Sequence, residues 1–382
     1  MIRVQRTRRL AGAAIIVMAA FVSSRLSGLL RDAAIGYRFG TSPELAAYYA
    51  ANRVQDVIFQ VVAGAAVASA FIPVYSAYLA RDTPEKGWEM LSIFLTLSVV
   101  IFLPLAFLGM AVVPWIMPLL VPQFPPAYQE LAAQLARIVL IAPLFFALGC
   151  FATSVLNAHG RFFLAALAPT CYNLGILLGA VLLARWLGIY GLAFGALIGS
   201  ILFLAVQLPG LRQIGAVIRP HLDLRHEGVR AVAQLMGPRA LGLAVTQVNF
   251  LVTLNLASSV PAWIPSLNFA WMLTMLPLGV FAMAISTAVF PTLAEHGAAQ
   301  QSDELRDTLV GAARFILYLT IPASIGLIVL GQPIVRVLYQ RGEFTPESTA
   351  LTARALRLYA LGLLGMAVTE IVTRAFYALH DT

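Results

Sequence analysis

The stretch VSSRLSGLLRDAAIGYRFG, residues 22–40, decides what kind of protein this is. It closes a strongly apolar segment and then sets Arg25, Arg31 and Asp32 among Leu, Ala, Ile and Gly. An arginine at the centre of a membrane helix costs roughly 2.5–3.5 kcal/mol on insertion scales, so such a residue faces water or a partner. On a straight helix, at about 100° per residue, Arg25 and Arg31 stand on different faces. Ser27-Gly28 between them is a place where a helix can bend, which would let both converge on one anion. The competing reading is that they snorkel to opposite interfaces as topology signals.

Composition agrees with a membrane setting. Of 382 residues 60% are hydrophobic and 11% charged, against about 25% charged in a soluble domain. The long continuous apolar runs exclude an alternating transmembrane barrel and give an all-α integral membrane protein of about ten helices. The expected spans are 10–38, 44–79, 88–117, 129–156, 162–185, 190–210, 229–258, 264–295, 306–331 and 346–377. Prolines at 104, 143, 169, 277 and 322 fall inside them, where neighbouring helices or water must satisfy the freed carbonyls. The basic start (Arg3, Arg6, Arg8, Arg9) before Ala11–Phe21 has the look of a signal peptide, but further spans follow with no soluble domain to export.

Net charge is +8, and Lys86 is the one lysine among 25 basic residues. The arginine is spread over loops and span ends, so a nucleic-acid interface is not expected. It suits forked contact with phosphate or carboxylate instead. Arg81, Lys86, Arg161, Arg212, Arg219, Arg225, Arg230 and Arg306 fall on one set of alternate loops, so the N-terminus is expected in the cytoplasm. The longest polar interruption, Pro209–Arg230, separates six spans from four. The expected organisation is an N-lobe at 1–210, a basic linker at 211–228 and a partial C-lobe at 229–382. The linker reads either as a segment lying on the lipid surface or as an ordinary topology-setting loop.

No cofactor and no metal are expected. The five histidines show no HExxH spacing, and GxSxG, P-loop and CxxC patterns are missing from the sequence. Cys150 and Cys171 sit inside spans and make no disulfide framework. Deep in the spans we read three acids, Asp32, Asp56 and Glu370, each close to an arginine. An enzyme is therefore not expected. The island Asn52-Arg53-Val54-Gln55-Asp56 reads either as a second wall of the site of Arg25 and Arg31 or as an internal Arg53–Asp56 pair. Gln247, Asn249 and Asn255 add polar groups that suit interhelical hydrogen bonds better than ligation.

Several segments together resemble the MurJ/MviN family of lipid II flippases. They are residues 22–40, AFIPVYSAYLARD at 70–82, APTCYNLG at 168–175 and MGPRALGLAVTQVNF at 236–250. The long run from Leu338 to Gly365 and RAFYALHDT at 374–382 complete the set. The resemblance places the chain in the multidrug/oligosaccharidyl-lipid/polysaccharide exporter superfamily. It implies a V-shaped, two-lobed transporter that moves undecaprenyl-diphosphate-linked peptidoglycan precursor between leaflets by alternating access. It implies a diphosphate held by Arg25, Arg31 and Arg53, and our reading of the residues adds Asp32, Asn52, Asp56, Gln247 and Asn249 as candidate cavity or pairing groups. The bilayer and cell-wall synthesis proteins are the implied partners, and the bacterial cytoplasmic membrane the location. Other family charges fall on Ala46, Phe59, Trp271 and Met275 here. This opens the alternatives of another polyprenyl-diphosphate-linked oligosaccharide or an inactive, scaffold-like relative. The family continues past the position of Thr382 with at least two more helices, so the C-lobe is expected to be incomplete.

Overall fold

A computed structural model describes residues 22–62, 64–81, 83–299 and 301–379, with every side chain in them except those of 64–69 and 235–244. The basic run Arg3–Arg9, the apolar Ala11–Phe21, His380 and the side chains of the small-residue run 63–66 lie outside the described residues. Every described element is a helix. Helix α1 covers residues 22–39, followed by α2 (Pro43–Val62), α3 (Gly64–Ala80) and α4 (Pro84–Leu120). Next come α5 (Pro126–Val139), α6 (Ala142–Ala158), α7 (Phe162–Leu178), α8 (Ala184–Leu187), α9 (Ile189–Ala205) and α10 (Leu208–Gln213). The last five are α11 (Glu227–Ala257), α12 (Trp263–Pro277), α13 (Ala284–Ala298), α14 (Ser302–Tyr339) and α15 (Pro346–Ala378).

Among the described residues, seven stretches of helix are long and apolar enough to cross a membrane: 84–120, 126–158, 162–187, 189–213, 263–298, 302–339 and 346–378. The other three expected spans contain α1, the α2–α3 pair and α11. These carry the arginines and the polar island. Expected span 129–156 breaks at Leu140-Ile141. Where Pro277 ends α12, the ladder widens into a π turn at Leu278–Met283 that leads into α13. Proline removes one N–H and crowds the turn before it, so the loosening has a local cause. A second π turn, Gly179–Leu183, joins α7 to α8.

The chain forms two compact units. One holds α1 and α2 to α11, through Pro261; the other holds α12 to α15 and the short segment Phe39–Thr41. By packing, α11 belongs with the first unit because it lies against α2, α3 and α4. The sequence expectation instead drew the line at the 211–228 linker. Apolar side chains point outward, with Trp115 70% and Trp186 78% exposed, as an apolar solvent permits.

In the first unit Phe71, Tyr75, Phe94 and Phe151 form an aromatic core with ring centroids 5.2–5.6 Å apart. His159, at the end of α6, stacks parallel to Trp88 and meets the Tyr75 hydroxyl through Nε2 at 3.1 Å. Helices α7 and α9 meet along a glycine seam. A Cβ on Gly175 would lie 2.3 Å from the Gly199 Cα, and one on Gly195 would lie 2.6 Å from the Gly179 Cα. Backbones this close need residues without side chains. In the second unit Phe269, Tyr339 and Phe344 pack ring to ring, and Ser324 Oγ donates to the Ala360 carbonyl at 2.6 Å across α14 and α15.

Two outcomes follow. Gly195→Val should overpack the seam and lower unfolding stability by about 1–3 kcal/mol, read as a lower Tm in detergent. Burial holds the His159 imidazole below its ordinary value, so the unfolded chain binds its proton first and stability falls as pH drops below about 6.5. His159→Phe should keep the stack and remove that part of the pH dependence, measured as Tm from pH 8 to 5.

Candidate functional site

The site is built outward from α1, whose helix runs unbroken through Ser27-Gly28. The sequence allowed a loosened helix there; what is present is a local back-bond, Ser27 Oγ donating to the Ser24 carbonyl at 2.9 Å. Asn173 of α7 clamps this turn. Its Nδ2 donates to the Ser24 carbonyl and to Ser27 Oγ, both at 3.1 Å, while its Oδ1 accepts from Arg31 Nη1 at 2.9 Å. Arg31 also donates to Asp32 Oδ1 through Nε at 2.9 Å and lies within 2.8 Å of it through Nη2. Asp32 is 5% exposed.

An unpaired charge in this position would cost several kcal/mol. Asp32 offsets the charge of Arg31, and Asn173 fixes the direction of the guanidinium. Three of the five N–H groups an arginine carries are engaged in this way. Two remain for another acceptor.

A second cation stands on α2. Arg53 lies 3.7 Å from Asp56 and places its guanidinium over the Phe250 ring of α11, 4.6 Å from the centroid. Tyr49 of α2 and Tyr172 of α7 lie within electrostatic reach of Arg31, and Asp56 within reach of Tyr172. Arg31 and the Arg53–Asp56 pair therefore border one polar region made by α1, α2 and α7. Of the two readings of the island, the Arg53–Asp56 pair is present.

The remaining candidates are placed as follows. Arg25 is half-buried on α1 and engaged by a neighbour. Asn52 turns back on its own helix, with Nδ2 donating to the Tyr48 carbonyl at 2.9 Å. Gln247 is buried, Asn249 is exposed, and Asn255 donates across to the Leu119 carbonyl of α4 at 3.0 Å. Glu370 and Arg374 of α15 pair at 3.1 Å. Among the described residues no group of three His, Cys, Asp or Glu side chains is arranged to hold a metal ion, and both cysteines are free thiols.

Sequence reasoning did not single out Asn173, Tyr172 or Phe250. An asparagine four residues after Pro169 in an otherwise apolar span was the available signal. Asn173→Leu should leave the Arg31–Asp32 pair in place but orphan one arginine N–H and remove the amide that closes the Ser24–Ser27 turn. The expected loss of stability is about 1–3 kcal/mol, measured as Tm beside an Asn173→Gln variant of intermediate effect.

Comparison with known proteins agrees along the chain. A family model described as "Lipid II flippase MurJ" matches residues 35–382. A probable lipid II flippase MurJ from Vibrio cholerae is 29% identical over all of this chain and 75% of its own length. The lipid II flippase MurJ of Burkholderia cenocepacia is 28% identical over 94% of this chain and 71% of its own. A solved lipid II flippase MurJ in an inward closed conformation superposes with a TM-score of 0.82, at 29% identity, over 96% of this chain and 77% of that one. An inward-facing multidrug resistance MATE transporter of the MOP superfamily superposes at 0.71 with 14% identity, over 96% and 86%. That second likeness is one of fold alone.

Proposed function

Because this chain belongs to the MurJ lipid II flippase family, we propose that it carries lipid II across the bacterial cytoplasmic membrane, from the inner to the outer leaflet, by alternating access. The observation that carries the reading is the oriented, half-satisfied Arg31 in an apolar helix. A diphosphate cannot cross about 30 Å of hydrocarbon without replacing its water. An arginine held by Asn173 and neutralised by Asp32 stays stable in the empty transporter. Its two remaining N–H groups are available to phosphate oxygens, in the forked geometry arginine favours.

In this proposal Arg25 and Arg53 complete the diphosphate contacts. The Phe250 ring supports Arg53 from the face opposite its ligand. The prenyl tail stays in lipid, so the polar path needs to admit the head group alone. Release on the far side requires that the arginines bind less well in the outward state, since a ligand shifts an equilibrium only by its differential affinity. The basic bias of alternate loops supports an N-terminus in the cytoplasm.

The test is replacement of a depleted native flippase in a bacterium, together with a leaflet-accessibility assay for lipid II. Wild-type protein should restore growth and accessibility. Arg31→Ala and Arg25→Ala should each lower flipping at least tenfold with membrane insertion unchanged. Flipping at wild-type rates by both variants would remove these arginines from the site.

A further inference from the structure

The segment between α10 and α11 is more than a tether. It runs extended along α4, where the backbone N–H groups of Arg219 and His221 donate to Ser92 Oγ at 3.1 Å and Thr96 Oγ1 at 3.2 Å. The strap ends at His226, whose Nδ1 accepts from the Gly228 N–H and caps α11. A strap fixed in this way holds its side chains in defined places.

Those side chains have two characters. Val217, Ile218, Leu222 and Leu224 are exposed by 45–62%, which a water-facing loop would not favour. Arg212, Arg219, Arg225 and Arg230 alternate with them, against Asp223 and Glu227 in the same stretch. The stretch thus carries a net +2 from side chains, taken as four arginines less two acids with histidine neutral.

Beneath the strap lies a cavity of about 290 Å³. Its wall includes Leu97, Ile101, Phe102, Leu224 and Val229, with Arg230 as its charged residue. Ser98 also lines it, but its hydroxyl is spent on the Phe94 carbonyl at 2.8 Å, so the wall offers hydrocarbon to an occupant. A dry apolar cavity takes an apolar guest. Arg230 stands one turn inside α11, on the exposed side of the helix.

We propose that strap and cavity together bind an anionic phospholipid of the surrounding membrane, an acyl chain occupying the cavity and the phosphate meeting Arg230. The charge complement selects the head group, and the exposed Val217, Ile218, Leu222 and Leu224 seat the strap in the same leaflet. Lipid bound there pins the strap to α4 and so the entry of α11, the helix whose Phe250 carries Arg53. The site is distinct from the region of Arg31.

The experiment is native mass spectrometry of the protein released from micelles containing phosphatidylglycerol or phosphatidylcholine with identical acyl chains. Wild-type protein should retain phosphatidylglycerol in preference to phosphatidylcholine. Arg230→Gln should weaken that retention about fivefold, as expected for one basic residue at a lipid surface, while Arg230→Lys keeps most of it. Ala233→Trp, which fills the cavity from an exposed position of α11, should weaken both lipids with Tm unchanged. Equal retention of the two lipids by wild-type protein would overturn the anionic assignment. Unaltered retention by both Arg230→Gln and Ala233→Trp would overturn the site.

Discussion

One constraint governs the first unit: a charge inside an apolar helix bundle must carry its counter-charge and its hydrogen-bond partners with it. Taking a guanidinium and a carboxylate out of water costs several kcal/mol each, and the pair recovers this only when the remaining donors and acceptors are met. Arg31, Asp32 and Asn173 meet the condition with groups from two helices. Asn173 does a further job in the same place, since its amide N–H groups close the Ser24–Ser27 turn. The position of α7 against α1 is thereby fixed by polar contacts. Its position against α9 is fixed by the opposite device, a seam from which side chains are missing.

The same pair carries a mechanistic consequence. An arginine wholly neutralised and wholly bonded would be inert toward phosphate; one with no partner would be too costly to keep in the empty state. Arg31 stands between these limits. Arg53 follows a different solution, with a loose 3.7 Å pairing to Asp56 and an aromatic face beneath it. A cation–π contact contributes about 0.5–2 kcal/mol without consuming an N–H, so Arg53 keeps its donors. The two cations are therefore unequally committed.

Much of this was legible from the sequence, for physical reasons that differ by element. The all-helical membrane class follows from apolar runs such as Ile189–Ala205, which no soluble domain would expose. The pairings Arg53–Asp56 and Glu370–Arg374 follow from spacing alone, because neighbours at i+3 and i+4 share a helix face, and Asp32 is a candidate partner for Arg31 because it follows it directly in the chain. Asn173 was not legible as a clamp: its role depends on a residue 142 positions away, and helical periodicity carries no information about which helix lies opposite. Grouping α11 with the first unit needed packing against α2 and α3, which a count of spans cannot supply.

The likeness in fold to a MATE transporter at 14% identity shows how little of the chemistry resides in the architecture. The same helical layout serves relatives whose names give different cargo, so selectivity has to lie in a few side chains set into common helices. Here Arg31, Asp32, Asn173, Arg53 and Asp56 set polar groups into α1, α2 and α7, whereas Trp271 and Met275 occupy positions of α12 where the resemblance led to charge. Trp271 instead packs edge-on to Tyr359 of α15, an apolar use of that face.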